Sequence, residues 1–88
     1  MKPLNYAILK HFTTVNEASA EDVIEALKGE YSSFKALNKA SVIEALMTAE
    51  ANGLLEETRF ELDNNQELQV YYHAHEDGAA TINKYIPD

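Results

Sequence analysis

The chain is expected to form an α+β fold: a three-helix core, then a β-hairpin and a short closing helix. Three features of the sequence support this. Apolar residues recur at three- and four-residue spacing in three separate segments ahead of Gly53. Gly53 then stops the third segment and is followed at once by Leu54–Leu55. Beyond it, two β-like runs flank Asp63–Asn64–Asn65–Gln66, a group of residues that tolerate tight turns.

Pro3 suits the first turn of a helix, where its missing N–H is not needed. Leu4, Ala7, Ile8, Phe12 and Val15 then make one stripe, giving a helix to about Thr13. Ser19 reads as the N-cap of the second helix, with acidic Asp22 three positions on, where the helix dipole favours it. Val23, Ile24 and Leu27 form its inner stripe, Gly29 is its expected stop, and Tyr31 and Phe34 pack from the segment that follows. Asn38 caps a third helix in which Val42, Ile43, Leu46 and Ala49 share a face. Gly53 takes the left-handed position after it, and Leu54 packs back.

From Leu54 to Leu62 the pattern is β-like, although Glu56–Glu57 is a weak start. Leu68, Val70 and Tyr72 alternate with Gln69, Tyr71 and His73, the period of a half-buried strand. Asp77–Gly78 breaks it, and Ala79, Ile82 and Ile86 indicate a closing helix before Pro87. Three short helices are marginal in water by themselves, so they must bury their stripes together. The expected core is Ile8, Phe12, Val23, Ile24, Leu27, Val42 and Leu46, with Phe60, Leu62, Leu68 and Val70 closing its open side.

With 88 residues, 45% of them apolar, and no internal repeat or linker, residues 1–88 are expected to be one domain. The absence of cysteine removes disulfides and thiolate metal sites. No apolar run approaches a membrane span, and Met1–Asn5 lacks the apolar segment of a secretory signal, so a cytoplasmic protein without membrane contact is expected. Fifteen acidic against seven basic side chains give a net charge of −8, which favours solubility or a partner with a basic patch.

The order helix, helix, helix, hairpin, helix resembles the winged helix-turn-helix superfamily over nearly the whole chain, with the hairpin as its wing. Ser41–Val42 through Gly53–Leu54–Leu55–Glu56 is similar to a recognition helix and its Leu-Glu-x-x-Gly-Leu-Ile exit, with Ala49–Glu50 where Leu-Glu is usual. Val70–Tyr71–Tyr72–His73–Ala74–His75–Glu76–Asp77–Gly78 is similar to the Tyr-Tyr-x-Leu-Thr-x-x-Gly return of PadR-like repressors, with Ala74 for the leucine and His75 for the threonine. Tyr6–Ala7–Ile8–Leu9–Lys10 also resembles small bacterial and phage winged-helix proteins of the YjcQ type.

That resemblance implies a DNA-binding transcriptional regulator, with the third helix in the major groove and the hairpin tip and helix N-termini at phosphates. On an ideal helix the face opposite Val42 and Leu46 carries Leu37, Ala40, Ser41, Glu44, Thr48 and Ala51. Ser41 and Thr48 can donate to base edges and Glu44 can accept from a cytosine amine. Lys35, Lys39 and Arg59 are the candidate phosphate anchors.

The charge distribution argues against this. In residues 32–53, Lys35 and Lys39 are cancelled by Glu44 and Glu50. In residues 54–75, Arg59 stands against Glu56, Glu57, Glu61, Asp63 and Glu67, a net −4. The alternative is an acidic protein-interaction or dimerisation module that does not touch DNA directly. In it the small-residue face of the third helix, or Tyr71, Tyr72, Tyr85 and the Ile82–Ile86 stripe, pairs with a partner or a second copy. Those tyrosines and isoleucines serve equally well to finish the monomer's core.

His73 and His75, two apart on a strand, share a face beside Glu76 and Asp77, with His11 as a possible third imidazole. Such pairs on solvated strands are more often incidental, and no metal or cofactor is expected. Nothing in the chain arranges a nucleophile beside a base or cradles a phosphate. Its acidic pairs are sequence neighbours rather than opposed carboxylates, so no enzymatic activity is expected.

Overall fold

The computed structural model describes all 88 residues. Its helices are α1 (Leu4–His11), α2 (Ala20–Tyr31), α3 (Lys39–Ala51) and α4 (Glu76–Tyr85), and its strands are β1 (Ala18–Ser19), β2 (Glu56–Leu62) and β3 (Leu68–His73). The three strands form one antiparallel sheet in the order β1-β3-β2. No helix is long and apolar enough to cross a membrane.

Local chemistry starts each of the first three helices. Pro3 precedes α1, and its carbonyl accepts from the amides of Tyr6 and Ala7. At α2 the capping box is complete: the Asp22 amide donates to Ser19 Oγ at 3.2 Å, and the Ser19 amide donates to the Asp22 carboxylate at 3.0 Å. At α3 the Ser41 amide donates to Asn38 Oδ1 at 2.9 Å. Gly53 has φ +78°, and the Leu54 amide beyond it donates to the Ala49 carbonyl, closing the helix end.

The second helix corrects the expected stop. It passes through Gly29 and ends at Tyr31, whose side chain is buried and whose hydroxyl donates to the Lys2 carbonyl at 2.7 Å. Anchoring Tyr31 beneath α1 is worth more than the conformational cost of one helical glycine. Phe34, expected to pack, is only half-covered and lies edge-on to Tyr31. Val15 falls beyond the buried stripe of α1 and is exposed.

One apolar core joins α1 (Leu4, Ala7, Ile8, Phe12), α2 (Ala20, Val23, Tyr31), α3 (Val42, Leu46, Ala49), Ala18, Leu55 and Tyr72. Ile24, Leu27, Leu37 and Val70 pack against it. Leu37 therefore faces inward and does not belong to the outward face of α3 on which the ideal-helix reading placed it. No buried side-chain nitrogen or oxygen lacks a partner.

Strand β1 has no signal in the sequence. It exists because Ala18 and Ser19 pair with Tyr72 and Tyr71 of β3. The final helix starts earlier than the Gly78 break suggests, at Glu76, with His75 as its cap: the Gly78 amide donates to His75 Nδ1 at 3.1 Å. The other ring nitrogen of His75 reaches the Gly53 carbonyl at 3.2 Å, tying the start of α4 to the end of α3. Gly78 is required there, because a Cβ would lie 2.3 Å from the Leu54 carbonyl oxygen. Ile82 and Ile86 are buried in the monomer, as is Tyr72, and Tyr71 is partly covered, so of the tyrosines and isoleucines considered for pairing subunits only Tyr85 stays fully outside, while Ala40 and Thr48 on the small-residue face of α3 are exposed.

The hairpin departs furthest from expectation. Phe60 pairs with Val70 and Leu62 with Leu68, so all four share a face. Val70 reaches the core, but Phe60, Leu62 and Leu68 are 66%, 60% and 55% exposed. They project past the helices instead of closing over them.

Candidate nucleic-acid interface

The N-terminal ends of α2 and α3 and the hairpin turn meet at one side chain. Lys39, the first residue of α3, reaches Glu21 in the first turn of α2 at 3.2 Å and Glu67 after the hairpin turn at 3.7 Å. The Glu21 carboxylate holds the ammonium above the usual lysine pKa. The turn is shaped by Asp63, whose carboxylate accepts the amides of Glu67 at 2.9 Å and Asn65 at 2.8 Å. These bonds, the Glu67 amide foremost, hold the Asp63 carboxyl below its ordinary pKa, so the turn keeps its negative charge. Gln66, at φ +61°, completes the reversal.

Of the three cations expected to meet phosphate, two already have carboxylate partners. Lys39 is held as described. Arg59, in β2, is bonded to Glu17 at 2.6 Å and Glu61 at 2.8 Å, and its guanidinium lies 3.9 Å from the centre of the Tyr71 ring. The Arg59 bonds hold the Glu17 carboxyl below its usual range. This network lies on the opposite face of the hairpin from Phe60 and Leu62 and is not joined to the Lys39 cluster. Lys35 precedes α3, exposed and without an ion pair, while its carbonyl accepts from the Asn38 side chain at 2.7 Å.

The expected base-facing residues are together. Ser41, Glu44 and Thr48 line one open cleft of about 380 Å³, with Asn5, Ile8 and Leu9 of α1 on its other wall. They occupy the α1 side of the α3 surface. The middle of that surface carries Ala40, Met47 and Ala51, all exposed, and Met47 had not been singled out from the sequence. Lys10 was also missed: it crosses from α1 to bind Asn83 and the Ile86 carbonyl, both at 2.7 Å, which makes it a structural tie. Only its distance in sequence from those partners hid it.

The histidines do not converge. His73 pairs with Glu56 across the hairpin at 2.5 Å. His75 leaves the strand to cap α4, so the two do not share a strand face. His11 is on α1, where burial lowers its pKa against the opposing pull of Asp22. No group of three histidine, aspartate or glutamate side chains is placed to hold a metal ion.

An antiparallel three-stranded sheet beside helices whose N-termini converge with the hairpin turn is the architecture of a winged-helix protein. Neither a protein-family model nor a curated protein matches the chain. Among solved structures it is similar to Bacillus subtilis PadR in complex with operator DNA, at 19% identity and a TM-score of 0.74 over 97% of this chain. The chain spans about half of that protein, 47% of its length. The fold is therefore a PadR-like winged helix.

Proposed function

We propose that this chain is a cytoplasmic transcriptional regulator that binds double-stranded DNA through α3 and the hairpin wing. The observation that carries the reading is the meeting of two helix N-termini and the wing turn at Lys39, on a fold shared with a protein solved on its operator. In this reading Ser41, Glu44 and Thr48 face base edges, and Lys35, Lys39 and Arg59 face phosphates. Binding requires Lys39 and Arg59 to exchange carboxylate partners for phosphates. With three cations per chain and about 0.9 of logarithmic salt slope per phosphate, the slope for one chain is no steeper than about −3.

Charge variants test this. Lys35→Glu with Lys39→Glu weakens binding to duplex DNA about tenfold or more, while Glu67→Gln, which releases Lys39 and removes an opposing charge, tightens it. Unchanged affinity in both variants, with circular dichroism showing intact folds, overturns the assignment.

A second reading, an acidic protein-interaction module, is favoured by one specific observation: the carboxylates around Lys39 and Arg59 occupy the cations that DNA would need. Phosphate-independent binding of a protein to this surface would distinguish it.

A further inference from the structure

We propose that α3 selects thymine by its methyl group: Met47, with Ile43 and Ala40, forms an apolar stripe that packs on 5-methyl groups in the major groove. The inference rests on the DNA reading above and adds to it the kind of base that α3 selects.

Val42, Leu46 and Ala49 fill the inner side of α3. A helix that packs on its own domain along one side normally turns polar side chains to water along the other. The outward side of α3 departs from this rule. Ala40, Ile43, Met47 and Ala51 lie there within about 80° of one another around the helix axis. Ile43 is 38% exposed and Met47 is 56% exposed, and both alanines are exposed as well. The stripe starts beside Lys39, where the N-termini of α2 and α3 meet the wing turn, so it continues the surface assigned to DNA.

The side chains of α3 then decide among the bases. In the major groove arginine or lysine suits guanine, asparagine or glutamine suits adenine, a carboxylate suits the cytosine amine, and an apolar group suits the thymine methyl. Helix α3 contains no arginine, asparagine or glutamine, and its one lysine, Lys39, is turned to Glu21 and Glu67. Ser41 and Thr48 stand on the flank next to α1. The middle of the face is left with apolar surface and the exposed Glu44 carboxylate, a set that fits thymine methyls and a cytosine amine. Met47 is unbranched and polarizable and can settle against a methyl group. From Ala40 to Met47 the helix rises about 10 Å, the rise of about three base pairs.

The test starts from a duplex that the full chain selects out of a random-sequence library, resynthesised with uracil in place of thymine at one position at a time. Uracil keeps the pairing and both hydrogen-bonding edges and removes only the methyl. Fluorescence anisotropy should show a loss of about threefold or more at one to three positions within a few adjacent base pairs, the effect of one methyl group returned to water at each. At the most sensitive position Met47→Ser should bind the thymine and uracil duplexes equally, with an unchanged melting temperature, and Ile43→Thr should reduce the discrimination at a neighbouring one. Lys35→Glu should weaken both duplexes by the same factor, because phosphate contacts do not sense the methyl.

Equal binding of thymine and uracil duplexes at every position overturns the inference and leaves DNA binding standing, as does a selection that enriches no sequence. Uracil sensitivity that neither Met47→Ser nor Ile43→Thr changes overturns it too, because the methyls are then sensed away from α3. A folded chain that binds no duplex at low salt removes the inference together with the DNA reading.

Discussion

In α3, Val42 and Leu46 have no exposed surface at all, whereas Phe60, Leu62 and Leu68 in the hairpin are more than half open to solvent. Both sets follow the periodicity of their secondary structure. The helical set meets α1, α2 and the base of the sheet, while the hairpin set runs past the last residue able to cover it. Periodicity says which side chains share a face; only the placement of neighbouring elements says whether that face is filled.

The sharpest way to break this contrast is to remove the same kind of side chain from each region. Leu46→Ala should cost about 2–4 kcal/mol in chemical denaturation, the range for a fully enclosed leucine. Phe60→Ser and Leu68→Ser should each cost less than about 0.5 kcal/mol, because little surface returns to water. Similar losses at both places would mean that the hairpin is packed in solution.

Two glycines give a smaller contrast of opposite sign. Gly78→Ala should destabilise by about 1–3 kcal/mol, since the new methyl meets the Leu54 carbonyl. Gly29→Ala, in the middle of α2 with nothing within 4 Å of the new atom, should stabilise by about 0.5–1 kcal/mol. Thermal melts of the two variants decide it.

The smallest effect concerns pH. Burial lowers the folded pKa of His11 below the ordinary value of 6.5, so the unfolded chain takes up a proton first as pH falls. The stability this neutral imidazole contributes is full well above that value. It is lost as pH falls through it toward the folded pKa. Denaturation between about pH 7 and 5 should show a loss that is smaller in His11→Gln.

The parts of the fold legible in the sequence were those set by nearby residues: the Ser19–Asp22 box, the Asn38 cap, the Gly53 stop and the Asp63–Gln66 turn each involve atoms a few positions apart. Strand β1 was invisible because two residues carry no period, and only pairing with Tyr71 and Tyr72 defines it. The end of α2 was misplaced because the reason to continue past Gly29 is the bond from Tyr31 to Lys2, 29 positions back. The candidate site shows the same division. Ser41, Glu44 and Thr48 are neighbours on one helix and do fall together, while the carboxylate partner of Arg59, Glu17, lies 42 positions away. A count of charges showed an acidic chain; it did not show which acids hold which cations.

The most direct test of the regulator assignment is fluorescence anisotropy of the wild-type chain against random duplex DNA at low and moderate salt, alongside light scattering for oligomeric state. The assignment predicts binding that weakens with salt, with a logarithmic slope per chain between about −1 and −3, the signature of a few lysine and arginine contacts to phosphate. A folded protein that binds no DNA even at low salt would contradict it.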